Sequence, residues 1–176
     1  MTSHPQIDFQ PTQLSDAAQL FAWRKQPHVA RWWNIHEWER SDFNFPAFER
    51  ELRDELEIGW QSIFIITLDA QPIGFLQTYH AASAGDGWWP DEPVSTHGID
   101  LFIGEASLIG QGLGPAIVCA FCARLFANSE VQSIITDPDP QNRRSVRCFE
   151  KAGFVAEGEI ITPDGLSLLM RLRRAS

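Results

Sequence analysis

The sequence predicts an α/β fold in which one mixed β-sheet carries helices packed against it. Short segments rich in Ile, Phe and Val alternate with segments of helical period in the order ββ-loop-β-α-β-α-ββ, and two further helices precede them. Such alternation indicates a sheet that buries its apolar surface under helices. The length of 176 residues, with 44% hydrophobic content, suits a single domain over residues 1–176, because a chain of this size buries about two-thirds of its unfolded surface.

Two helices and a β-hairpin are expected in the first half of the chain. Residues 14–26 show apolar side chains at near-helical spacing after an N-cap candidate. Residues 46–60 place apolar side chains every four positions, and Gly59 is suited to end that helix. The hairpin joins residues 61–68 to residues 72–81, both of which are rich in β-branched and aromatic side chains.

The second half begins with a long loop. Residues 82–96 are small, acidic and aromatic without a regular period, which is typical of a functional loop. The elements expected after it are a strand at 97–104, a helix at 115–126, a strand at 131–137, a helix at 142–152 and a hairpin around Pro163, Asp164 and Gly165.

The charge balance argues against some classes of partner. The 14 Lys and Arg against 23 Asp and Glu give a net charge of −9, and this field repels nucleic acid and attracts cations. Because the sequence shows neither a membrane span nor a secretion signal, we expect a cytoplasmic protein with no nucleic acid or membrane partner. Cys119 and Cys122 form a CxxC without a second ligand pair, which favours core packing over a metal site.

Three alternating glycines stand between an apolar strand and a helix. Gly110, Gly112 and Gly114 precede a helix whose first N–H groups and dipole can bind an anion such as pyrophosphate. Pro115 stands where a dinucleotide fingerprint needs Gly or Ala, and no Gly-Lys-Ser/Thr follows, so neither standard nucleotide motif is present. Alone, the glycines are equally consistent with a plain turn before a helix.

Several motifs in consistent order resemble the GNAT superfamily of acetyl-CoA-dependent N-acetyltransferases. The resemblance covers residues 61–160 and includes the specific motif FEKAGF. Within the superfamily the chain resembles the aminoglycoside 6′-N-acetyltransferases. The pieces that carry this resemblance are HVARWW (28–33), SAGDGWW (83–89), HGIDLFI (97–103), GQGLG (110–114), TDPDPQN (136–142) and RCFEKAGF (147–154).

The resemblance implies a GNAT-like fold and acetyl-CoA as cosubstrate. Such a fold has a mostly antiparallel central sheet with splayed parallel central strands and helices on both faces. The splay admits the pantetheine arm, and the glycine loop binds the pyrophosphate. The residues implied to bind acetyl-CoA are Leu101, Phe102, Ile103, Gly110, Gln111, Gly112, Leu113, Gly114, Pro115, Asn142 and Phe149. Ile109 departs from the Arg or Gln that is usual in the family, which is a mild change because backbone N–H groups bind the phosphates.

The loop GDGWWPDE (85–92) suits a polycationic sugar. Carboxylates pair with ammonium groups, and aromatic faces pack on sugar rings. The substrate contacts expected are Trp32, Trp33, Asp86, Trp88, Trp89, Asp100 and Asp137. Three alternatives stay open: the tryptophans fill the rim of the core, the acids are merely solvated, or Asp137 only forms a turn before Pro138.

Asp100 is the expected catalytic residue. Acetyl transfer needs a neutral amine, yet an aliphatic amine with a pKa of ~10.4 is mostly protonated at neutral pH. The resemblance assigns the counterpart of Asp100 to the amine, where it would hold the ammonium and pass its proton on through water. Burial would raise the pKa of Asp100 and improve the match. His97, three residues earlier, points to the opposite face of the strand.

Phe149 stands where the resembling family has a Tyr that protonates the leaving thiolate. The chain's one tyrosine, Tyr79, is far away in the sequence. A thiol with a pKa of ~8.5 can leave near neutral pH without full protonation, so this change predicts slower turnover rather than none. The resemblance implies a backbone N–H near residues 101–103 as the oxyanion donor.

Two other functions remain open at this point. The chain could be a GNAT acyltransferase for another amine, such as a polyamine or a lysine-derived siderophore precursor, since those substrates also need nearby acids. It could instead be a non-catalytic binder of CoA or aminoglycoside, because Phe149 replaces the family's Tyr. A small cationic amine is the expected partner, no metal is expected, and the protein should act as a monomer or homodimer.

Overall fold

The computed structural model describes residues 5–33, 44–85, 88–89 and 91–175. Its strands are β1 (Ile7–Pro11), β2 (Gln61–Leu68), β3 (Gln71–His80), β4 (Thr96–Ile103), β5 (Ser133–Thr136), β6 (Val155–Thr162) and β7 (Gly165–Arg173). These strands form one mixed sheet in the order β1-β2-β3-β4-β5-β7-β6. The helices are α1 (Ala17–Arg24), α2 (Pro27–Ala30), α3 (Phe45–Glu57), α4 (Leu113–Phe126) and α5 (Arg143–Lys151). The predicted fold class is confirmed.

The chain folds as two compact units. The first comprises the residues up to 77 together with 101–111, and the second comprises 78–100 and the residues from 112 onward. Helices α1, α2 and α3 therefore belong to the first unit, and α4 and α5 belong to the second. The assignment of one functional domain stays a prediction.

The core of the first unit forms where α1 and α3 pack on each other and α3 packs on β2. The buried apolar side chains there include Leu20, Trp23, Phe48, Leu52, Ile63, Ile65 and Phe75. Asn44 is the N-cap of α3, and its side-chain oxygen accepts a hydrogen bond from the N–H of Ala47 at 3.1 Å. The helix ends at Glu57 because Ile58 is already extended, so Gly59 lies beyond the helix rather than ending it.

The core of the second unit lies among α4, α5 and strands β5 to β7. The side chains of Ile117, Val118, Phe121, Ile134, Ile135 and Met170 are almost fully buried there. Cys122 is buried with them, and burial raises the pKa of its thiol to about 12, whereas Cys119 is exposed. The prediction of core packing therefore holds for Cys122 and is wrong for Cys119.

The central strands β4 and β5 are parallel, while the other pairs with a defined register are antiparallel. The β4–β5 ladder joins Thr96 to Ser133 and ends with Gly98 opposite Ile135. Strand β4 continues for five more residues to Ile103. The parallel pair is thus joined over only the first part of β4, as expected of splayed central strands.

Among the described residues, no helix is both long and apolar enough to cross a membrane. The same residues contain no group of three or more His, Cys, Asp or Glu side chains arranged to hold a metal ion.

Candidate active site

Carboxylates of the second unit gather around a buried tyrosine. Tyr79, near the end of β3, is 7% exposed. Burial raises the pKa of its phenol well above 10.0, and the nearby charges of Asp100, Asp137 and Asp164 raise it further. Tyr79 therefore stays a neutral phenol at physiological pH. The cluster of Tyr79, Asp100, Asp137 and Asp164 is called the acid cluster below.

Asp137 has a strongly altered carboxyl group. Burial and the charge of Asp100 raise its pKa from 3.8 to about 8, with a smaller contribution from Asp164. The hydroxyl of Ser167 donates a hydrogen bond to Asp137 and partly opposes this rise. Because Asp100 disfavours a second negative charge beside it, the pair is expected to titrate in two coupled steps.

Gly98 makes the room that Tyr79 occupies. A Cβ placed on Gly98 would lie 2.1 Å from Cζ of Tyr79 and 2.6 Å from its hydroxyl oxygen, which is far inside van der Waals contact. Gly98 and Asp100 are two residues apart on β4, so they share one face of the strand. The ring of Tyr79 therefore lies on the face that carries the predicted catalytic carboxylate.

The two predicted loop tryptophans differ in their burial. Trp89 is 5% exposed, whereas Trp88 is half-buried, and their ring centroids are 6.1 Å apart. The indole Nε1 of Trp89 has no acceptor in good hydrogen-bond geometry among the described residues. It nevertheless lies close enough to the phenol to lower the pKa of Tyr79. Trp89 thus closes one side of the acid cluster, and Asp86 lies outside the described residues.

The other pair of predicted tryptophans belongs to the first unit. Trp33 packs edge-on against Phe75 at 5.5 Å and Phe102 at 5.0 Å between ring centroids. Trp32 is half-buried, and the guanidinium of Arg31 lies 4.8 Å from its ring. These contacts show a packing role for Trp33, and the substrate roles of both residues stay predictions.

The glycine loop has the backbone conformation that glycine favours. Gly110 and Gly112 have φ values of 82° and 80°, a left-handed region that other residues rarely adopt. Gly112 is the N-cap of α4, and Gln111 donates from its side chain to the carbonyl of Ser107 at 2.7 Å. The loop therefore ends where the first N–H groups of a helix are unpaired by the helix itself, which is a favourable place for a phosphate.

The first turn of α4 contains Leu113, Gly114 and Pro115. Pro115 lacks an N–H, so this turn offers one donor fewer to an anion than an ordinary helix does. A Cβ on Gly114 would lie 2.8 Å from Sγ of Cys148 on α5. Gly114 is thus needed for the close approach of the two helices, in addition to its predicted role at the cosubstrate.

Asn142 is the N-cap of α5. Its side-chain oxygen accepts a hydrogen bond from the N–H of Ser145 at 3.2 Å. The carboxamide also carries two N–H donors that this bond does not use. These donors are available for the predicted contact with the pantetheine arm.

Phe149 cannot supply the proton that a tyrosine would give. Its side chain on α5 is 4% exposed and packs against Phe154 at 5.2 Å between ring centroids. Tyr79 is no substitute proton donor, because a phenol with so high a pKa is a poor acid at neutral pH. A general acid for the thiolate is therefore not identified among the described residues.

The end of β4 has an irregular hydrogen-bond pattern. The N–H groups of Gly104 and Glu105 both donate to the carbonyl of Ile73, at 2.8 and 3.3 Å. Two residues opposite one is the arrangement of a β-bulge, and it follows directly after the predicted oxyanion donors at residues 101–103. The oxyanion role of Leu101, Phe102 and Ile103 stays a prediction.

The described histidines His28, His80 and His97 are not members of the acid cluster. His97 packs against His80 with the ring centroids 4.4 Å apart and the ring planes tilted by 51°, and burial lowers the pKa of His97. His97 and Asp100 are three positions apart on β4, so their side chains lie on opposite faces of the strand. His97 therefore faces away from the acid cluster. His28 makes a 3.0 Å hydrogen bond to the carbonyl of Ile103.

Sequence reasoning missed Tyr79, Gly98 and Asp164 as parts of this site. Tyr79 is far from the other candidates in the sequence, yet in the structure the charges of Asp100 and Asp137 act on its phenol. Asp164 had been expected only as a turn residue of the last hairpin. The available signal was the spacing of Gly98 and Asp100, since a glycine within a strand often marks a close approach of another group.

Comparison with known proteins identifies the fold's relatives. Residues 12–162 match the family described as Acetyltransferase (GNAT) domain. An aminoglycoside N(6′)-acetyltransferase type 1 from Klebsiella pneumoniae is 38% identical over 156 residues, which cover 88% of this chain and 77% of that protein.

A second curated relative acts on another amine, and a solved structure contains bound ligands. The lysine N-acyltransferase MbtK of Mycobacterium tuberculosis is 28% identical over 88% of this chain and 71% of that protein. The structure of AAC(6′)-Ib in complex with paromomycin and acetyl-CoA superimposes with a TM-score of 0.88 at 34% identity, covering 96% of this chain and 94% of that one.

Proposed function

Because the chain belongs to the GNAT family of acetyltransferases, we propose that it transfers the acetyl group of acetyl-CoA to the 6′-amine of an aminoglycoside. The observation that carries this proposal is the acid cluster beside Trp89. Several carboxylates whose charges act on one buried phenol suit a substrate with several ammonium groups. An indole face beside them suits a sugar ring and adds a cation–π contact.

Asp100 and Asp137 divide the handling of the amine between them. The charge of Asp100 attracts the incoming ammonium, and the same charge raises the pKa of Asp137. An ammonium bound between the two carboxyl groups offsets their repulsion and favours loss of the proton from Asp137. A carboxyl group with a pKa of about 8 exchanges protons readily at neutral pH, which suits it to proton transfer.

Transfer then proceeds directly between the two substrates. The amine passes a proton to the carboxylate pair, directly or through water, and its nitrogen attacks the thioester carbonyl. The C–N bond forms, and the bonded nitrogen gives its second proton to water. The tetrahedral intermediate then collapses, and the C–S bond breaks to release CoA thiolate. That thiolate takes a proton from solvent, because Phe149 has no proton to give. Tyr79 remains a neutral phenol throughout, because burial raises its pKa well above 10.0.

The start of α4 supplies the cosubstrate site. The left-handed Gly112 at its N-cap directs free N–H groups of the first turn toward an anion, and the helix dipole adds to the attraction. The pantetheine arm is expected beside the part of β4 that continues beyond its ladder with β5. Dependence on acetyl-CoA agrees with the expected cytoplasmic location.

A lysine-type amine is the second candidate acceptor. The similarity to a lysine N-acyltransferase favours it, and the acid cluster would also bind a lysine-derived ammonium. A substrate with a single ammonium needs fewer carboxylates than the cluster contains, so the aminoglycoside is preferred.

A panel of amines tests the proposal. Release of free thiol from acetyl-CoA is measured with kanamycin, spermidine and hydroxylysine as acceptors. We expect the highest kcat/KM with kanamycin, and the variant Asp100→Asn should lower kcat by about tenfold or more because proton transfer is impaired. Turnover with hydroxylysine alone would replace the aminoglycoside by the second candidate. Ligand binding without thiol release would indicate a non-catalytic binder.

A further inference from the structure

Arg171 connects the tryptophan loop to the sheet of the second unit. The tryptophan loop is residues 84–95, of which the structure describes 84–85, 88–89 and 91–95. The guanidinium donates from Nη2 to Oε1 of Glu92 at 2.5 Å and from Nη1 to Oε2 of Glu92 at 2.9 Å. The two side chains are only 9% and 14% exposed. This is a two-point, largely buried ion pair, which fixes orientation as well as distance.

The rest of the Arg171 side chain is fixed by neighbouring strands. Its Nε lies 2.9 Å from both carboxylate oxygens of Glu157 on β6. Its Nη1 also lies 3.3 Å from the hydroxyl of Ser133 on β5, which in turn is 2.9 Å from the hydroxyl of Thr96. The Arg171 backbone pairs with Ile135 and with Val155. The guanidinium is therefore a rigid point to which the loop is attached.

The ion pair continues through the loop to the acid cluster. The backbone N–H of Glu92 donates to the carbonyl of Trp89 at 3.1 Å. Trp89 is buried, and its indole lies beside the phenol of Tyr79. The strand that ends at Thr136 also leads directly into Asp137, and Ser167 of β7 bonds to that carboxyl group. Asp137 thus directly follows β5, and β7 contains both its hydrogen-bond partner Ser167 and Arg171, to which the loop with Trp89 is attached.

We propose that Arg171 is a positioning residue for the acceptor site, which holds Glu92, and through it Trp89, against Tyr79. The proposal rests on the proposed function for its kinetic consequences, but its structural consequence does not depend on the acceptor. A cleft of about 490 Å³ borders this ion pair and is lined by residues that include Ser95, Gln132 and Arg173. Water from this cleft would enter the space if the pair were broken, so the loop would lose its fixed position.

The kinetic test compares Arg171→Met and Glu92→Gln with the control Arg173→Met. Arg173 bonds to the same Glu157 at 2.7 Å, but its side chain is 70% exposed, and it does not bond to Glu92. For Arg171→Met and Glu92→Gln we expect the KM for kanamycin to rise about tenfold, because a displaced contact residue weakens binding, while the KM for acetyl-CoA changes less than about twofold. Arg173→Met should leave both values at those of the wild type.

A double variant tests whether Arg171 acts through Glu92. If it does, Arg171→Met with Glu92→Gln should raise the KM for kanamycin no further than Arg171→Met alone, because coupled residues are not additive. Arg171→Lys should fail to restore the wild-type KM, since an ammonium cannot bind both carboxylate oxygens in the planar geometry of a guanidinium.

Amide hydrogen exchange of the free protein supplies a readout without substrate. Peptides that cover residues 84–95 should exchange faster in Arg171→Met and Glu92→Gln than in the wild type and in Arg173→Met. This result would support the proposal even if the wild type acetylated no aminoglycoside. If Arg171→Met fails to fold, Glu92→Gln retains the Arg171–Glu157 pair and decides the question. Unchanged exchange in the loop, equal increases in both KM values, or a lower melting temperature as the only effect would overturn it.

Discussion

At Gly98 the absence of a side chain is what admits the ring of Tyr79. We expect Gly98→Ala to displace that ring and to lower kcat/KM for kanamycin by about tenfold or more, because small displacements of contact groups are costly to catalysis. The control is Gly59→Ala, since a Cβ on Gly59 meets no atom within 4 Å. Steady-state kinetics of both variants, with thermal melting to confirm folding, measure the difference. Equal kinetics for the two would show that the position of Tyr79 does not matter.

Asp137 makes a second prediction at the scale of single residues. Its folded-state pKa of about 8 lies above the ordinary value of 3.8, so the folded protein holds a proton that the unfolded chain releases between these pH values. The free energy of unfolding should therefore fall as pH rises through that window. Asp137→Asn removes this contribution, so the variant should gain stability relative to the wild type between about pH 5 and about pH 8, with no further gain above.

Urea denaturation over that pH range measures the effect, with the exposed Glu150→Gln as control. Stability curves of Asp137→Asn and wild type that stay parallel at all pH values would contradict the assignment. The sequence indicates that both Asp100 and Asp137 belong to the site, but it does not show that the pKa of Asp137 is raised to about 8. That depends on burial and on the second charge, which only the folded chain brings together.

At the scale of elements, variants of Asn142 can separate its role as the N-cap of α5 from its predicted contact with the cosubstrate. Asn142→Asp keeps the oxygen that caps the helix and loses the amide donors, whereas Asn142→Ala loses both. Stability should therefore fall by about 1 kcal/mol in the Ala variant only. The KM for acetyl-CoA should rise in both variants if the donors contact the pantetheine arm.

Asn44→Ala is the matched control, because Asn44 caps α3 in the same way. It should lose similar stability with no change in the KM for acetyl-CoA. Wild-type acetyl-CoA kinetics in Asn142→Asp would restrict Asn142 to its capping role.

The elements themselves differ in how well their sequences predicted them. The hairpin of β2 and β3 was clear because two long β-branched segments flank a short turn, where Asp69 and Ala70 adopt positive φ. Strand β1 was missed because it has five residues, only one of which is buried. It pairs with β2 so that Ile7 lies opposite Leu68 and Pro11 lies opposite Phe64. Pairing between residues so far apart in the sequence leaves little local signal.

At the scale of the whole molecule, the protein combines a net charge of −9 with a local concentration of carboxylates. The net charge follows from the composition, and it attracts cations of many kinds. The local concentration of carboxylates is visible only in the structure, because its members come from four separate stretches of the chain. These members are Tyr79, Asp100, Asp137 and Asp164. Family motifs connected them in part, and they gave no sign of Tyr79 or of the Arg171–Glu92 pair.

The position of the transferred acetyl group on the product tests whether the protein acetylates the 6′-amine of an aminoglycoside. The enzyme is incubated with kanamycin and acetyl-CoA labelled with ¹³C in the acetyl group, and the product is examined by mass spectrometry and NMR. We expect kanamycin to carry a single labelled acetamide on its 6′-nitrogen. A label on a different amine, or kanamycin recovered without label while acetyl-CoA is consumed with hydroxylysine, would contradict it.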